Sequence, residues 1–257
     1  MATFVIVHGA FGGGWEWTEV AVALRALGHG VFTPTLTGMG ERSHLGPNVG
    51  LRTHLDDLIG VLEFEDLRDV VLCGASYGGM AVTVAADRVP DRISLVVYVD
   101  ALIPRDGQSG LDLLPAAFSD AVRAHAAAAG HGWVAVPEVI LPPRGVIPEP
   151  RRAHYIARLR PQPVATFTEP VVLSGAIERV PRAFVRCTAG SLGTVGDPIE
   201  PMAARARAEG WPYRELAAPH DPHLFDPART AALLDELAAV AAKSARGALL
   251  GGGASQK

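Results

Sequence analysis

The chain has 257 residues, of which 49% are hydrophobic and 19% are charged, and its formal net charge is −4. This composition allows a sizeable buried core, and the small net charge argues against nucleic acid or an anionic membrane surface as a partner. No apolar run reaches the roughly 20 residues of a membrane-spanning helix. The N-terminus enters an apolar strand without a signal-peptide pattern, which predicts a cytoplasmic protein.

Basic charge is carried almost wholly by arginine, since Lys243 and Lys257 are the only lysines. Together with abundant alanine, this indicates the coding bias of a GC-rich bacterial genome. Cys73 and Cys187 each lie in a strand-like apolar run. Their spacing fits no zinc motif, and they are predicted to be reduced thiols of the core.

The first part of the chain alternates short apolar runs with stretches of helical periodicity. The predicted strands are 3–9, 31–36, 69–75 and 93–102, and the predicted helices are 17–30, 53–65 (with Thr53 as its N-cap) and 77–88. Such alternation predicts right-handed crossovers and a parallel sheet with helices on both faces. The fold class is therefore α/β.

The alternation stops after Leu102. Residues 104–181 are rich in Pro, Ala and Arg, and their weak periodicity predicts an inserted, mostly helical cap. Predicted strands and helices then return at 182–189, 200–210, 212–218 and 226–245. The α/β core is thus predicted to comprise 1–103 and 182–245, interrupted by the cap at 104–181 and followed by a disordered tail at 246–257.

The segment "GASYG" places Ser76 between a predicted strand and a predicted helix. This is the G-x-S-x-G pattern of a nucleophile elbow, in which a tight turn exposes the serine at the end of a strand. The alternative is a serine that only fills a turn. The helix N-terminus beside Ser76 favours developing negative charge, which supports the nucleophile interpretation.

A serine nucleophile also needs oxyanion donors and a base. The first strand ends at His8 and leads into a glycine-rich loop, so the backbone N–H groups of Ala10 and Tyr77 are the expected donors. His8 itself is expected to shape this loop. The base should be a histidine near the C-terminus, where "PHDPH" offers His220 and His223. His220 is favoured because it is the first histidine after the last predicted strand.

The segments "FVIVHGAFGGGWEW", "TLTGMGERSHL", "GASYGG" and "HDPHLFDP" together resemble the α/β-hydrolase superfamily over nearly the whole chain. The resemblance is greatest to the compact branch that holds plant methylesterases, hydroxynitrile lyases and small bacterial esterases. It implies a mostly parallel six-stranded sheet flanked by helices, with no metal and no organic cofactor. It also implies that His220 takes the catalytic histidine position.

Some positions depart from parts of this branch. Hydroxynitrile lyases carry a threonine at the position of Gly9 and a lysine at that of Asp221, so both residues favour ester hydrolysis over cyanohydrin cleavage. A serine nucleophile also differs from the aspartate of haloalkane dehalogenases and epoxide hydrolases.

The acid that orients His220 is left open between two residues. In plant members of the branch it follows the strand that corresponds to 182–188, where this chain has no carboxylate before Asp197. Some haloalkane dehalogenases instead use the end of the strand after the nucleophile helix, where this chain has Asp100. A carboxylate that ends an apolar strand needs a partner, which favours Asp100, although it could instead cap the following loop.

The sequence thus predicts a serine hydrolase for a carboxylic ester or lactone of a small to moderate hydrophobic substrate, its partner being a small ester-like molecule. The alternatives are C–C hydrolysis, perhydrolysis, tailoring of a secondary metabolite, or a non-catalytic ligand receptor on the same fold. Oligomeric state is left open, with a homodimer as one option. The expected pocket residues are Phe11, Trp15, Leu102, Trp133, His223 and Phe225.

Overall fold

A computed structural model describes residues 1–129, 132–142, 144–189 and 197–251. Its main feature is a six-stranded sheet built from β1 (Thr3–Val7), β2 (Gly30–Phe32), β3 (Val70–Ala75), β4 (Ile93–Val99), β7 (Arg182–Cys187) and β8 (Tyr213–Leu216). The strand order is β2-β1-β3-β4-β7-β8, and all neighbouring strands are parallel. The fold class predicted from the sequence is confirmed.

Alternate residues of the strands enter two separate hydrophobic cores, one on each face of the sheet. Val5 and Val7 pack in one core, whereas Phe4 and Ile6 pack in the other. Helices cover both faces because each core needs a second apolar layer. They are α1 (Thr18–Ala26), α2 (Leu51–Phe64), α3 (Gly78–Arg88), α7 (Glu200–Ala208), α8 (Pro222–Phe225) and α9 (Pro227–Gly251).

Helix α2 begins earlier than its sequence pattern predicts, and Thr53 is not its N-cap. Gly50 takes that position in an extended conformation. The Glu169 carboxylate accepts a hydrogen bond from the Arg52 N–H at 3.2 Å. A distant carboxylate therefore satisfies a free N–H at the helix start, which local sequence does not reveal.

The chain between β4 and β7, which we call the cap, holds α4 (Ala116–Ala129), α5 (Glu149–Ile156) and α6 (Ala165–Thr168). It also contains a small antiparallel pair, β5 (Trp133–Val134) with β6 (Gln162–Pro163). The cap contacts the core at two places, with α6 against α2 and the turn Ala176–Arg179 against α3.

Helix α9 continues to Gly251, into the segment predicted as a tail, and residues 252–257 lie outside the described part of the chain. None of the helices in the described ranges combines the length and apolarity needed to cross a bilayer. Cys73 and Cys187 are buried free thiols.

Candidate active site

Ser76 lies in the sharp turn between β3 and α3. Its φ is +49°, in the left-handed region that side chains other than glycine rarely adopt. Backbone hydrogen bonds hold the turn, with the Ser76 N–H donating to Val99 O and the Leu102 N–H donating to Ser76 O. Gly78 is required here, since a Cβ would lie 2.7 Å from two backbone oxygens of the β1 end. The turn therefore has the geometry of a nucleophile elbow.

The structure brings Asp100 and His220 together. Asp100 directly follows β4, and the Asp100 side chain is 3% exposed. His220 follows β8, with β7 between these two strands in the sheet. The Nδ1 of His220 lies 2.7 Å from Asp100 Oδ2, while its Nε2 is buried and has no hydrogen-bond partner among the described residues. One ring nitrogen is thus fixed and the other is left to act on a proton.

Asp197, the alternative acid, lies on the other side of an arginine. Because Val99 pairs with Val185, Asp100 comes opposite Arg186, and Arg186 donates to Asp100 Oδ1 at 2.6 Å. The same guanidinium also binds the Asp197 carboxylate. Asp100 is therefore the carboxylate that touches the imidazole, and Asp197 contacts the cation behind it.

The charges around His220 determine its protonation. Burial by itself would lower the pKa of His220, but the Asp100 hydrogen bond and the charges of Asp221 and Asp100 outweigh it, so the pKa is raised above 6.5. Burial is also the main cause that raises the pKa of the Asp221 carboxyl. The imidazole is consequently a stronger base than a free histidine.

Neither the Ala10 N–H nor the Tyr77 N–H has a hydrogen-bond partner among the described residues. Hydrogen bonds of nearby buried side chains support both segments. The Tyr77 hydroxyl lies 2.9 Å from His54 Nδ1, and His54 Nε2 donates to Thr37 O at 2.9 Å, so the tyrosine donates to the histidine. His8 is fully buried, accepts the Leu36 N–H on Nε2 and donates from Nδ1 to Gly9 O.

The cap holds the residue that follows Ala10. Phe11 has a φ of +65°. Its N–H donates to Gln162 Oε1 at 2.9 Å, and its C=O accepts from the Arg160 N–H at 2.9 Å. Gln162 is fully buried and its amide donates in turn to Thr166 Oγ1 at 2.8 Å. The strained loop after β1 is thus clamped on both sides by the cap.

The predicted pocket residues lie in several places around the elbow and the cap. Phe11 packs on Phe167 of the cap, and Leu102 is buried behind the elbow. Trp133 lies against Gly46.

The remaining three, Trp15, His223 and Phe225, lie in or near α8. His223 stacks on Trp17 with ring centroids 4.6 Å apart, and Phe225 packs at the edge of the core. Trp15 lines a cavity formed by described residues next to α5.

Sequence reasoning missed three residues with structural roles at this site: Glu16, Gln162 and Arg186. Each has a polar side chain that is largely buried. For Arg186, the sequence indicated this by a charged residue within an otherwise apolar strand. In the described part of the chain, no group of three or more His, Cys, Asp or Glu side chains is arranged to hold a metal ion.

Comparison with known proteins agrees with this architecture. A carbendazim hydrolyzing esterase of Nocardioides is 43% identical over 68% of this chain and 75% of its own length. Methylesterase 2 of Arabidopsis thaliana is 35% identical over 39% of this chain and 40% of its own.

Among solved structures, an extracellular α/β-hydrolase from a Paenibacillus species matches with a TM-score of 0.82 and 25% identity, over 92% of this chain and 99% of its own. It is described as sharing structural and functional homology with tobacco salicylic acid binding protein 2. The model of the alpha/beta hydrolase family matches residues 4–233. The chain therefore belongs to the α/β-hydrolase family, as its sequence motifs predict.

Proposed function

We propose that the protein is a serine hydrolase that cleaves a carboxylic ester or lactone of a small to moderate hydrophobic substrate through an acyl-enzyme. The observation that carries this proposal is the 2.7 Å contact between His220 Nδ1 and the buried Asp100, with the imidazole Nε2 unpartnered. An elbow serine at the same edge of the sheet supplies the nucleophile. Relatives named as esterases support the same class of reaction.

In the proposed first half-reaction, His220 Nε2 accepts the Ser76 hydroxyl proton while Oγ attacks the ester carbonyl carbon. The carbonyl oxygen becomes an oxyanion that accepts hydrogen bonds from the Ala10 and Tyr77 N–H groups. The oxyanion then collapses, the bond to the alkoxy oxygen breaks, and the alcohol leaves with the proton held by His220.

In the second half-reaction, His220 takes a proton from water, and the resulting hydroxide oxygen attacks the acyl carbon. Collapse of the second oxyanion breaks the bond to Ser76 Oγ, which regains its proton from His220. Asp100 orients the imidazole and stabilises its charged form throughout, remaining ionised itself.

The first test is labelling with a fluorophosphonate, together with turnover of p-nitrophenyl butyrate. The wild-type protein should bind one label and release p-nitrophenol, and Ser76→Ala should do neither. Ser94→Ala is the matched control, because Ser94 lies at the start of β4, where its hydroxyl donates to Asp69 O. Label that persists in Ser76→Ala, or is lost in Ser94→Ala, would refute Ser76 as the nucleophile.

A second test uses pH. His220 must be neutral to accept a proton, so kcat/KM falls as the pH drops through its pKa. Asp221 raises this pKa, so Asp221→Asn should move the acid limb of the profile to lower pH.

The control is Glu215→Gln, which removes an exposed carboxylate on β8. It should leave the acid limb in place. An unmoved or upward-shifted limb in Asp221→Asn would contradict the assignment of His220 as the base.

The cytoplasmic location, the boundaries of core and cap, and the oligomeric state stay predictions from the sequence. Cell fractionation, limited proteolysis and light scattering measure them in turn.

A further inference from the structure

An arginine binds the carboxylate oxygen of Asp100 that does not face His220. Arg186 lies on β7, and its side chain is only 11% exposed. Its Nη1 donates to Asp100 Oδ1 at 2.6 Å, and its Nη2 binds the Asp197 carboxylate. A buried cation is stable only where its partners offset the cost of removing it from water. Such a cation next to the proposed acid points to a role in the reaction.

The two carboxylate oxygens of Asp100 have different partners. Oδ1 accepts from the Arg186 guanidinium and from the Cys187 N–H at 3.1 Å, whereas Oδ2 lies 2.7 Å from His220 Nδ1. Hydrogen bonds between charged groups are short and directional. With two donors on Oδ1, the carboxylate cannot turn out of its plane without losing them. Oδ2 is therefore held toward the imidazole.

The backbone of Asp100 depends on the same strand. Its φ is +45°, in the left-handed region, and its N–H donates to Val185 O at 2.7 Å. Arg186 and Cys187 directly follow Val185 on β7. A strained residue persists only where the surrounding contacts determine its conformation. Strand β7 thus fixes both the backbone and the side chain of the proposed acid.

Two further carboxylates fix the guanidinium of Arg186. Besides Asp197, Glu200 at the start of α7 lies 3.9 Å from Arg186 Nε. A planar guanidinium engages several acceptors in fixed directions, which a lysine ammonium does not. Arg186 therefore presents Nη1 to Asp100 in one defined orientation.

The charge of Arg186 also acts on the imidazole. The titratable groups around His220 are Asp100 after β4, Arg186 on β7, Asp221 just before α8 and His223 within α8. The two carboxylates favour the protonated imidazole, and the Arg186 cation opposes them. His223 is uncharged, because burial lowers its pKa to about 3. With Arg186 present, the carboxylates therefore raise the pKa of His220 less than they would alone.

We propose that Arg186 is a positioning residue for the serine hydrolysis proposed above, on which this inference rests. Its guanidinium holds the Asp100 carboxylate against His220, and its charge offsets part of the negative charge around the imidazole. Without that offset, His220 would keep its proton at neutral pH. A protonated imidazole cannot accept the Ser76 proton.

The main test is Arg186→Met, which keeps a long side chain and removes the cation with its donors. Turnover of p-nitrophenyl butyrate is measured against pH. We expect the plateau kcat to fall about 10- to 100-fold, as when an outer hydrogen-bond partner of a metal-bound histidine is removed. The acid limb of kcat/KM should move to higher pH by about one unit, because a cation close to the imidazole is lost. A loss of packing alone would not move this limb.

Two further variants separate charge from geometry. Arg186→Lys keeps the positive charge but cannot bind Asp100 and Asp197 as a fork, so the acid limb should stay in place while kcat is only partly restored. Arg182→Met is the matched control. Arg182 begins the same strand, its side chain is 10% exposed, and it donates to Glu178 at 2.7 Å. It should change neither kcat nor the acid limb.

A second readout does not depend on turnover. The imidazole of His220 is titrated by NMR in Ser76→Ala with and without Arg186→Met, and its signal is assigned by its loss in His220→Gln. The pKa of His220 should rise when Arg186 is replaced. An unchanged imidazole pKa would refute the inference, whereas failure of fluorophosphonate to label Ser76 would refute the proposed hydrolysis.

Three kinetic results would also overturn the proposal: a wild-type plateau kcat in Arg186→Met, an acid limb that stays or moves to lower pH in that variant, or a limb that moves as far in Arg186→Lys. Thermal unfolding checks each protein. If Arg186→Met does not fold, Arg186→Met/Asp197→Asn is compared with Asp197→Asn instead. That double variant leaves no unpaired carboxylate at position 197, and the same changes in kcat and in the acid limb are expected.

Discussion

Replacing Asp100 by Asn is expected to lower kcat by about 10⁴-fold. The amide oxygen can accept only from one side, and Arg186 already donates to Asp100 Oδ1. The amide NH2 would then face His220 and hold Nδ1 as an acceptor, which places the proton on Nε2. In that tautomer the imidazole cannot accept the Ser76 proton.

The matched variant is Asp197→Asn, the same change at the second carboxylate bound by Arg186. Asp197 is 28% exposed, its Oδ2 binds Arg186 and its Oδ1 accepts the Ile199 N–H at 3.0 Å. A part-exposed ion pair contributes only about 0–1 kcal/mol. We therefore expect kcat within about tenfold of wild type, since none of these contacts reaches the imidazole.

Turnover of p-nitrophenyl butyrate measures both variants, and thermal unfolding checks that they fold. Arg186 keeps the carboxylates of Asp197 and Glu200 in Asp100→Asn, so its charge is not left uncompensated. A large loss in Asp197→Asn with near-normal turnover in Asp100→Asn would reverse the assignment of the acid.

The second large effect is expected from the cap. Gln162→Leu leaves the buried Phe11 N–H without its acceptor, and such a group costs about 1–3 kcal/mol. The left-handed conformation of Phe11 loses one of its two cap contacts, so the neighbouring Ala10 N–H is no longer held in place. We expect kcat to fall by roughly 10²-fold, approaching the effect of removing one oxyanion donor.

KM should change little, since the bonds lost are to the loop and not to the substrate. Gln108→Leu is the matched control, because the Gln108 amide oxygen accepts the Arg105 N–H at 2.8 Å within the first cap loop. A Gln162→Leu protein with normal kcat and normal unfolding temperature would show that the cap does not position the oxyanion donors.

The backbone of this fold could largely be predicted from the sequence. Apolar runs that alternate with helical patterns specify parallel strands, and the strand–turn–helix context of Ser76 specifies an elbow. These are local signals, carried by neighbouring residues. The pairing of Asp100 with His220 was also accessible, since both follow strands that end at the same edge of the sheet.

The residues that support the catalytic groups without being catalytic themselves could not be found from such local patterns. Gln162 binds Phe11 across 151 positions of sequence, and Arg186 binds Asp100 across 86. No period or spacing encodes such a contact. The sequence did contain two hints. Arg186 is a charge within an otherwise apolar strand, and Glu16 stands between two tryptophans.

The clamp on Phe11 bears on how caps can be exchanged between relatives. Arg160 contributes only its backbone N–H, which almost any residue supplies, whereas Gln162 contributes a side-chain oxygen. A chimera that transplants a foreign cap onto this core therefore has to preserve an amide acceptor at position 162. Without it, the foreign cap would change the surface that faces the substrate and would also leave the loop around Phe11 without its side-chain acceptor.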